Sequence, residues 1–168
     1  MAGARSNDVL LQYYGFVAAN NPHDTYALSP ADLIVETDAA CPGGLRKGAV
    51  ASLNTAAPGV ADASNTIYLT RDGADDAALR LVRLLLHPDD AANADAGREP
   101  LRPGAEAEVR TALAAIAESR LHSMPGAEEV LEGQIGAEGA EMLARFVDEK
   151  RRTLQASAAA LRASTARA

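Results

Sequence analysis

Ser6-Asn7-Asp8-Val9-Leu10-Leu11-Gln12-Tyr13-Tyr14-Gly15-Phe16-Val17, running on to Asn20-Asn21-Pro22-His23-Asp24, is the stretch whose residue order constrains the rest of the chain. Asn7 or Asp8 is suited to cap a short helix that carries Val9, Leu10, Tyr13 and Tyr14 at its apolar positions. Gly15 can leave that helix in a left-handed conformation, after which Phe16 and Val17 lead into a turn.

Outward from this stretch, composition points to helix. There are 38 alanines among 168 residues and no tryptophan, and aromatic residues make up only 4%. Alanine is the best helix former but buries little area, so leucine stripes must supply most of the packing energy. The length suits one domain, or one domain plus a fragment.

The net charge of -7 argues against a nucleic-acid binder. The sign is uneven: residues 1–139 hold 20 acids and 10 bases, whereas 140–168 hold 3 acids and 6 bases. A solvated helix face is the simplest reading of that basic tail. The single cysteine, Cys41, allows no internal disulfide and fits a reducing compartment; no neighbouring cluster would activate its thiol. No apolar run approaches the ~18 residues of a transmembrane helix, so no membrane partner is expected, and the N-terminus lacks the order of a secretory signal.

Along the chain, Thr25–Leu28 and Leu33–Thr37 flank Ser29-Pro30 and read as strand or helical turn. Residues 38–64, rich in Gly, Pro and Ala, read as a loop or loosely packed insertion. Asn65–Thr70 alternates like a short strand, with Ile67 and Leu69 on one side and Tyr68 on the other. Arg71-Asp72-Gly73 makes a turn, and Asp72 or Asp75 can cap a helix running to His87 with Leu79, Val82, Leu85 and Leu86 as its stripe, stopped by Pro88.

Residues 88–104 read as a mobile loop. Helix is expected from Ala105 to Leu121, with Val109, Leu113, Ile116 and Leu121 inward. Glycines interrupt Ser123–Gly139. A final helix spans Ala140 to about Ala163, with Leu143, Phe146, Val147, Leu154 and Leu161 on one face and ion pairs Glu141–Arg145 and Asp148–Arg152.

Taken together, Gly3-Ala4-Arg5-Ser6-Asn7, Val9-Leu10-Leu11, Tyr14-Gly15-Phe16 and Asn21-Pro22-His23-Asp24 closely resemble the end of the catalytic domain in SET-domain protein-lysine methyltransferases of the Rubisco large-subunit methyltransferase type. Ile67–Gly73 followed by Leu79-Arg80-Leu81-Val82-Arg83-Leu84-Leu85, and Arg145–Leu154, resemble segments of that family's helical substrate-binding domain.

The resemblance implies a mainly α fold: a SET-domain remnant over 1–28, then a Rubisco-methyltransferase-type substrate-binding domain over 29–168. It implies S-adenosylmethionine as the cofactor of the intact family and a protein substrate presenting a lysine as partner. By resemblance Tyr14 and Phe16 would touch the cofactor, and Arg5 and Tyr14 the substrate. Ala2 stands where the family has a tyrosine at the methyl-transfer site. The chain alone, read as a truncated gene model or a separately encoded lobe, is therefore expected to bind protein substrate without methylating it. Relatives of this type place it in chloroplast, cytoplasm or nucleus.

Against this stands a plainer reading, in which Tyr14 and Phe16 only pack. A competing function is a helical interaction module that holds an acidic partner through Arg151 and Arg152 of its basic C-terminal helix. His23, His87 and His122 lack metal-ligand spacing, and no metal is expected. Ser6, Ser29 and Ser123 sit in no nucleophile elbow, and neither Gly43-Gly44 nor Gly133-Gln134-Ile135-Gly136 makes a phosphate loop.

Overall fold

Val147, Leu154 and Leu161 recur every seventh residue along the last helix and are all buried, and the fold is laid along that stripe. The computed structural model describes residues 5–57, 59–93, 97–126 and 136–165. The chain is mainly α. Its described elements are α1 (Asn7–Tyr14), β1 (Thr25–Leu28), α2 (Pro30–Ala40), α3 (Ala49–Ala56), β2 (Ile67–Thr70), β3 (Gly73–Ala74), α4 (Asp76–Leu86), α5 (Pro88–Asn93), α6 (Pro103–Ser123) and α7 (Ala137–Thr165).

α6 and α7 form the most extensive helix pair. Val109, Leu113 and Ile116 of α6 are fully buried as expected, and Ala105, Ala112, Ala114 and Ala117 are buried beside them. Small side chains there let a neighbouring helix axis come close, which is how an alanine-rich sequence still builds a dense core. Leu121, Leu143 and Phe146 are only half-buried. The expected Asp148–Arg152 pair does not form; Arg152 instead contacts Glu149 at 2.5 Å, because Glu149 is buried and already an anchor whereas Asp148 stays in water.

On α4 the expected stripe is shifted. Val82 and Leu85 are buried, but so are Ala78, Leu81 and Leu84, while Leu79 and Leu86 are only partly covered. The reason is that α4 is enclosed by α2, α3, α6 and β2 rather than packed on one side. Asp75 caps it, accepting from Ala78 N–H at 2.8 Å with one oxygen and from Tyr68 N–H at 3.0 Å with the other, so one carboxylate ties helix to strand.

The strands form one antiparallel sheet in the order β1-β2-β3, with Thr25 opposite Thr70 and Leu28 opposite Ile67. Ile67 and Leu69 face the core and Tyr68 faces out, as their alternation requires. β1 closes the segment assigned by resemblance to the SET end, yet it is hydrogen-bonded to β2 from the segment assigned to the substrate-binding domain. Position 28 is thus the end of a strand in a shared sheet.

Leu33–Thr37 lies within helix α2, whose Ser29 caps it by accepting from Asp32 N–H at 3.0 Å, with Pro30 at the first helical position. Two segments expected to be loops contain helix. Within 38–64, α3 buries Leu53 at 1% exposure, because one leucine among alanines suffices to pin a two-turn helix. Within 88–104, α5 starts at Pro88, and residues 97–101 are fastened to α4 and α6: Arg83 donates to the carbonyls of Gly97 (3.1 Å) and Arg98 (3.4 Å), and Glu106 accepts from Leu101 N–H (3.2 Å). The glycine interruption expected over 123–139 lies largely outside the described residues, as do Ala2, Gly3, Ala4 and Gly133-Gln134-Ile135.

Candidate functional site

α1 is a two-turn helix with little to bury. Leu10 is its single buried leucine, whereas Tyr13, Tyr14 and, just beyond, Phe16 are 70%, 55% and 46% exposed. The expected apolar face of α1 is therefore split, and both tyrosines turn outward. Ser6 occupies the N-cap position rather than Asn7 or Asp8, without a side-chain capping bond. Gly15 leaves the helix with φ of 69°, the left-handed exit that its position implied.

So short a helix needs another anchor, and a buried polar network supplies it. The side-chain amide of Asn7 pairs with the peptide group of Ala18, donating to its carbonyl at 3.2 Å and accepting from its N–H at 3.0 Å. Asn7 N–H donates to Asp24 Oδ1 at 2.8 Å. Asn21 Nδ2 donates to the Arg5 carbonyl at 2.8 Å, and Asn21 Oδ1 accepts from His23 N–H at 3.0 Å. Residues 5–24 thereby form a strap closed on itself.

Lys150 of α7 reaches into this strap. Its ammonium donates to Asp24 Oδ1 at 2.8 Å, to the Thr25 carbonyl at 2.6 Å and to Asp8, so all three of its hydrogens are used. Thr153 adds a hydroxyl 3.4 Å from Asp24 Oδ2. Asn7, Asp24, Lys150 and Thr153 are each at most 4% exposed. Charges this deep are tolerated only when paired, and here every partner is in place.

The outcome for the expected site residues is mixed. Arg5 and Tyr14 are brought together, the guanidinium lying 5.6 Å from the ring centroid, and Tyr14 and Phe16 have centroids 6.4 Å apart. The three make an exposed ledge at the end of α1. Beside it a groove of about 210 Å3 runs between Phe16, Val17 and the first turns of α7. Ligand pockets usually exceed roughly 300 Å3 and bury most of their ligand. The described residues do not by themselves enclose S-adenosylmethionine at Tyr14 and Phe16.

Sequence reading missed Asn7, Asp24, Lys150 and Thr153 as the fastening. Lys150 sits in Glu149-Lys150-Arg151-Arg152, which reads as a solvated run; in the structure Glu149 and Lys150 face inward. Glu149 accepts from Arg71 at 3.0 Å. Arg151 and Arg152, on which the acidic-partner reading depends, are engaged within the chain, Arg151 with the Met124 carbonyl at 2.8 Å and Arg152 with Glu149.

Elsewhere, His23 is exposed, His122 Nδ1 lies 2.7 Å from the Glu118 carbonyl, and His87 Nε2 lies 3.2 Å from Glu108 without hydrogen-bond alignment. Among the described residues no group of three His, Cys, Asp or Glu is disposed to hold a metal ion. Burial pushes the Cys41 thiol up, and the carboxylates of Asp38 and Glu108 add to the rise, so its reactive thiolate is disfavoured. No described helix is long and apolar enough to cross a membrane.

No protein-family model, curated protein or solved structure matches this chain.

Proposed function

We propose that this chain is the protein-substrate-binding portion of an S-adenosylmethionine-dependent SET-domain protein-lysine methyltransferase of the Rubisco large-subunit type. One observation carries the reading: Arg5, Tyr14 and Phe16 stand together on an exposed ledge whose backing strap is locked by buried charges. Half of the chain's six Tyr and Phe residues lie in the four positions 13–16. A fold with so few rings gains nothing for its own core by exposing three of them on a rigid mount. Exposed aromatics beside an arginine are the composition of a surface that receives another polypeptide.

On this reading the strap supplies orientation. Arg5 and Tyr14 contact the incoming protein, and α7 holds them at fixed spacing through Lys150 and Asp24. The test is photo-crosslinking from a benzophenone side chain placed at Tyr14, with mass spectrometry of the captured partner. The expected result is a protein bearing a methylated lysine close to the crosslinked segment. Partners devoid of methyl-lysine overturn the reading.

A further inference from the structure

The groove beside the ledge has a chemical character of its own. Phe16, Val17 and Met142 give it an apolar floor, and Glu138, Glu141 and Arg145 form its α7 side. Arg145 is 3.0 Å from Glu141, so that pair is neutral within itself, while Glu138 is exposed with no ion-pair partner among the described residues. The ring of Phe16 is 46% exposed at the groove's edge. Aromatic faces in this chain already receive cations: Arg5 lies over Tyr14, and the Lys150 ammonium lies 5.0 Å from the Phe146 centroid.

We infer that this groove is a docking site for an arginine-bearing segment of a protein partner, with the guanidinium stacked on Phe16 and paired with Glu138 while an adjacent apolar side chain rests on Val17 and Met142. An uncompensated carboxylate next to an exposed ring selects a cation, and guanidinium suits it better than ammonium because it is planar and weakly hydrated. The net charge of -7 steers such a segment toward the chain. The inference rests on the reading that this face receives a protein, but it concerns a groove next to the Arg5–Tyr14 contact.

The probe is a fluorescein-labelled peptide of repeating Arg-Leu-Gly, titrated by anisotropy against the full chain, with a Glu-Leu-Gly peptide alongside. The Arg peptide should bind saturably and the Glu peptide should not. Glu138→Gln should weaken the Arg peptide about threefold to fivefold, the loss expected of one exposed charge pair. Phe16→Ser should weaken it comparably. Asp72→Asn removes the same charge from an exposed position elsewhere and should leave affinity within twofold.

Equal binding of both peptides, no binding of the Arg peptide, or equal losses from the Glu138 and Asp72 variants overturns the inference. The probe contains no lysine, so its outcome does not depend on methylation. Failure here leaves the crosslinking result from Tyr14 standing, and failure there leaves this one.

Discussion

Lys150 and Asp24, 126 residues apart in the chain, are joined by a 2.8 Å hydrogen-bonded ion pair in the interior. Asp24 also accepts from Asn7 N–H, and Lys150 also donates to Thr25 and Asp8, so removal of Lys150 leaves the buried Asp24 without a cation, whereas removal of Asp24 leaves Lys150 its pair with Asp8. Lys150→Met should lower unfolding stability by about 3–5 kcal/mol, the usual cost of an orphaned buried charge. Adding Asp24→Asn to that variant should recover part of the loss. A double-mutant cycle by urea denaturation reads the coupling, and additive losses would show that the two side chains act independently.

Glu106 gives the fold a dependence on acid. Burial alone would raise its carboxyl, but two hydrogen bonds from Arg83, one from Leu101 N–H and the positive charges of Arg83 and Arg110 outweigh it and hold the group below its ordinary 4.5. A folded value below the unfolded one means that the stabilisation is complete above the ordinary value and is lost as pH falls through the folded value. Glu106→Gln should be markedly less stable at neutral pH, with Arg83 left buried beside a neutral amide. The gap between variant and parent should close as pH is lowered below 4.5. Urea midpoints followed from neutral to acid pH provide the check; a gap independent of pH refutes it.

Gly15 has φ of 69° and open space where a Cβ would project. Gly15→Ala should therefore cost about 1–2 kcal/mol from backbone conformation alone. Chemical denaturation measures the cost, and a neutral result would mean that α1 ends differently in solution.

Leu53 distinguishes a packed α3 from a passive linker. It is 1% exposed against the main core, so Leu53→Ala should cost about 2–5 kcal/mol. A change within ~0.5 kcal/mol is what an exposed linker residue would give.

Tyr14→Ser addresses the plain packing reading of the ledge. With the ring 55% exposed, stability should stay within ~0.5 kcal/mol while capture of partner protein by a benzophenone placed at neighbouring Tyr13 falls. A large stability loss with capture intact would assign Tyr14 to the core.

Where side chains repeat at helical or strand spacing, the structure follows from pattern. Val109, Leu113 and Ile116, or Ile67 and Leu69, needed nothing beyond their periodicity to be placed inward. α3 and α5 were hidden because a short helix can be anchored by a single leucine or by a proline at its start, and neither makes a stripe. The ledge was legible only in part. Arg5, Tyr14 and Phe16 could be grouped through the motif around them, but their exposure could not, because aromatic rings at helical positions read as core. The Lys150–Asp24 lock left no local signal. Each partner looks like an ordinary surface charge until the strap and α7 are side by side, and pairing across that separation is a property of the tertiary fold.

The same separation orders the events of synthesis. The strap leaves the ribosome before α7, yet its buried acceptors have no cation until Lys150 emerges, a wait of roughly 6–25 s at about 5–20 residues per second for the 126 positions between them. Through that interval Tyr13, Tyr14 and Phe16 sit on an unfastened nascent chain, where exposed rings are open to non-native contacts.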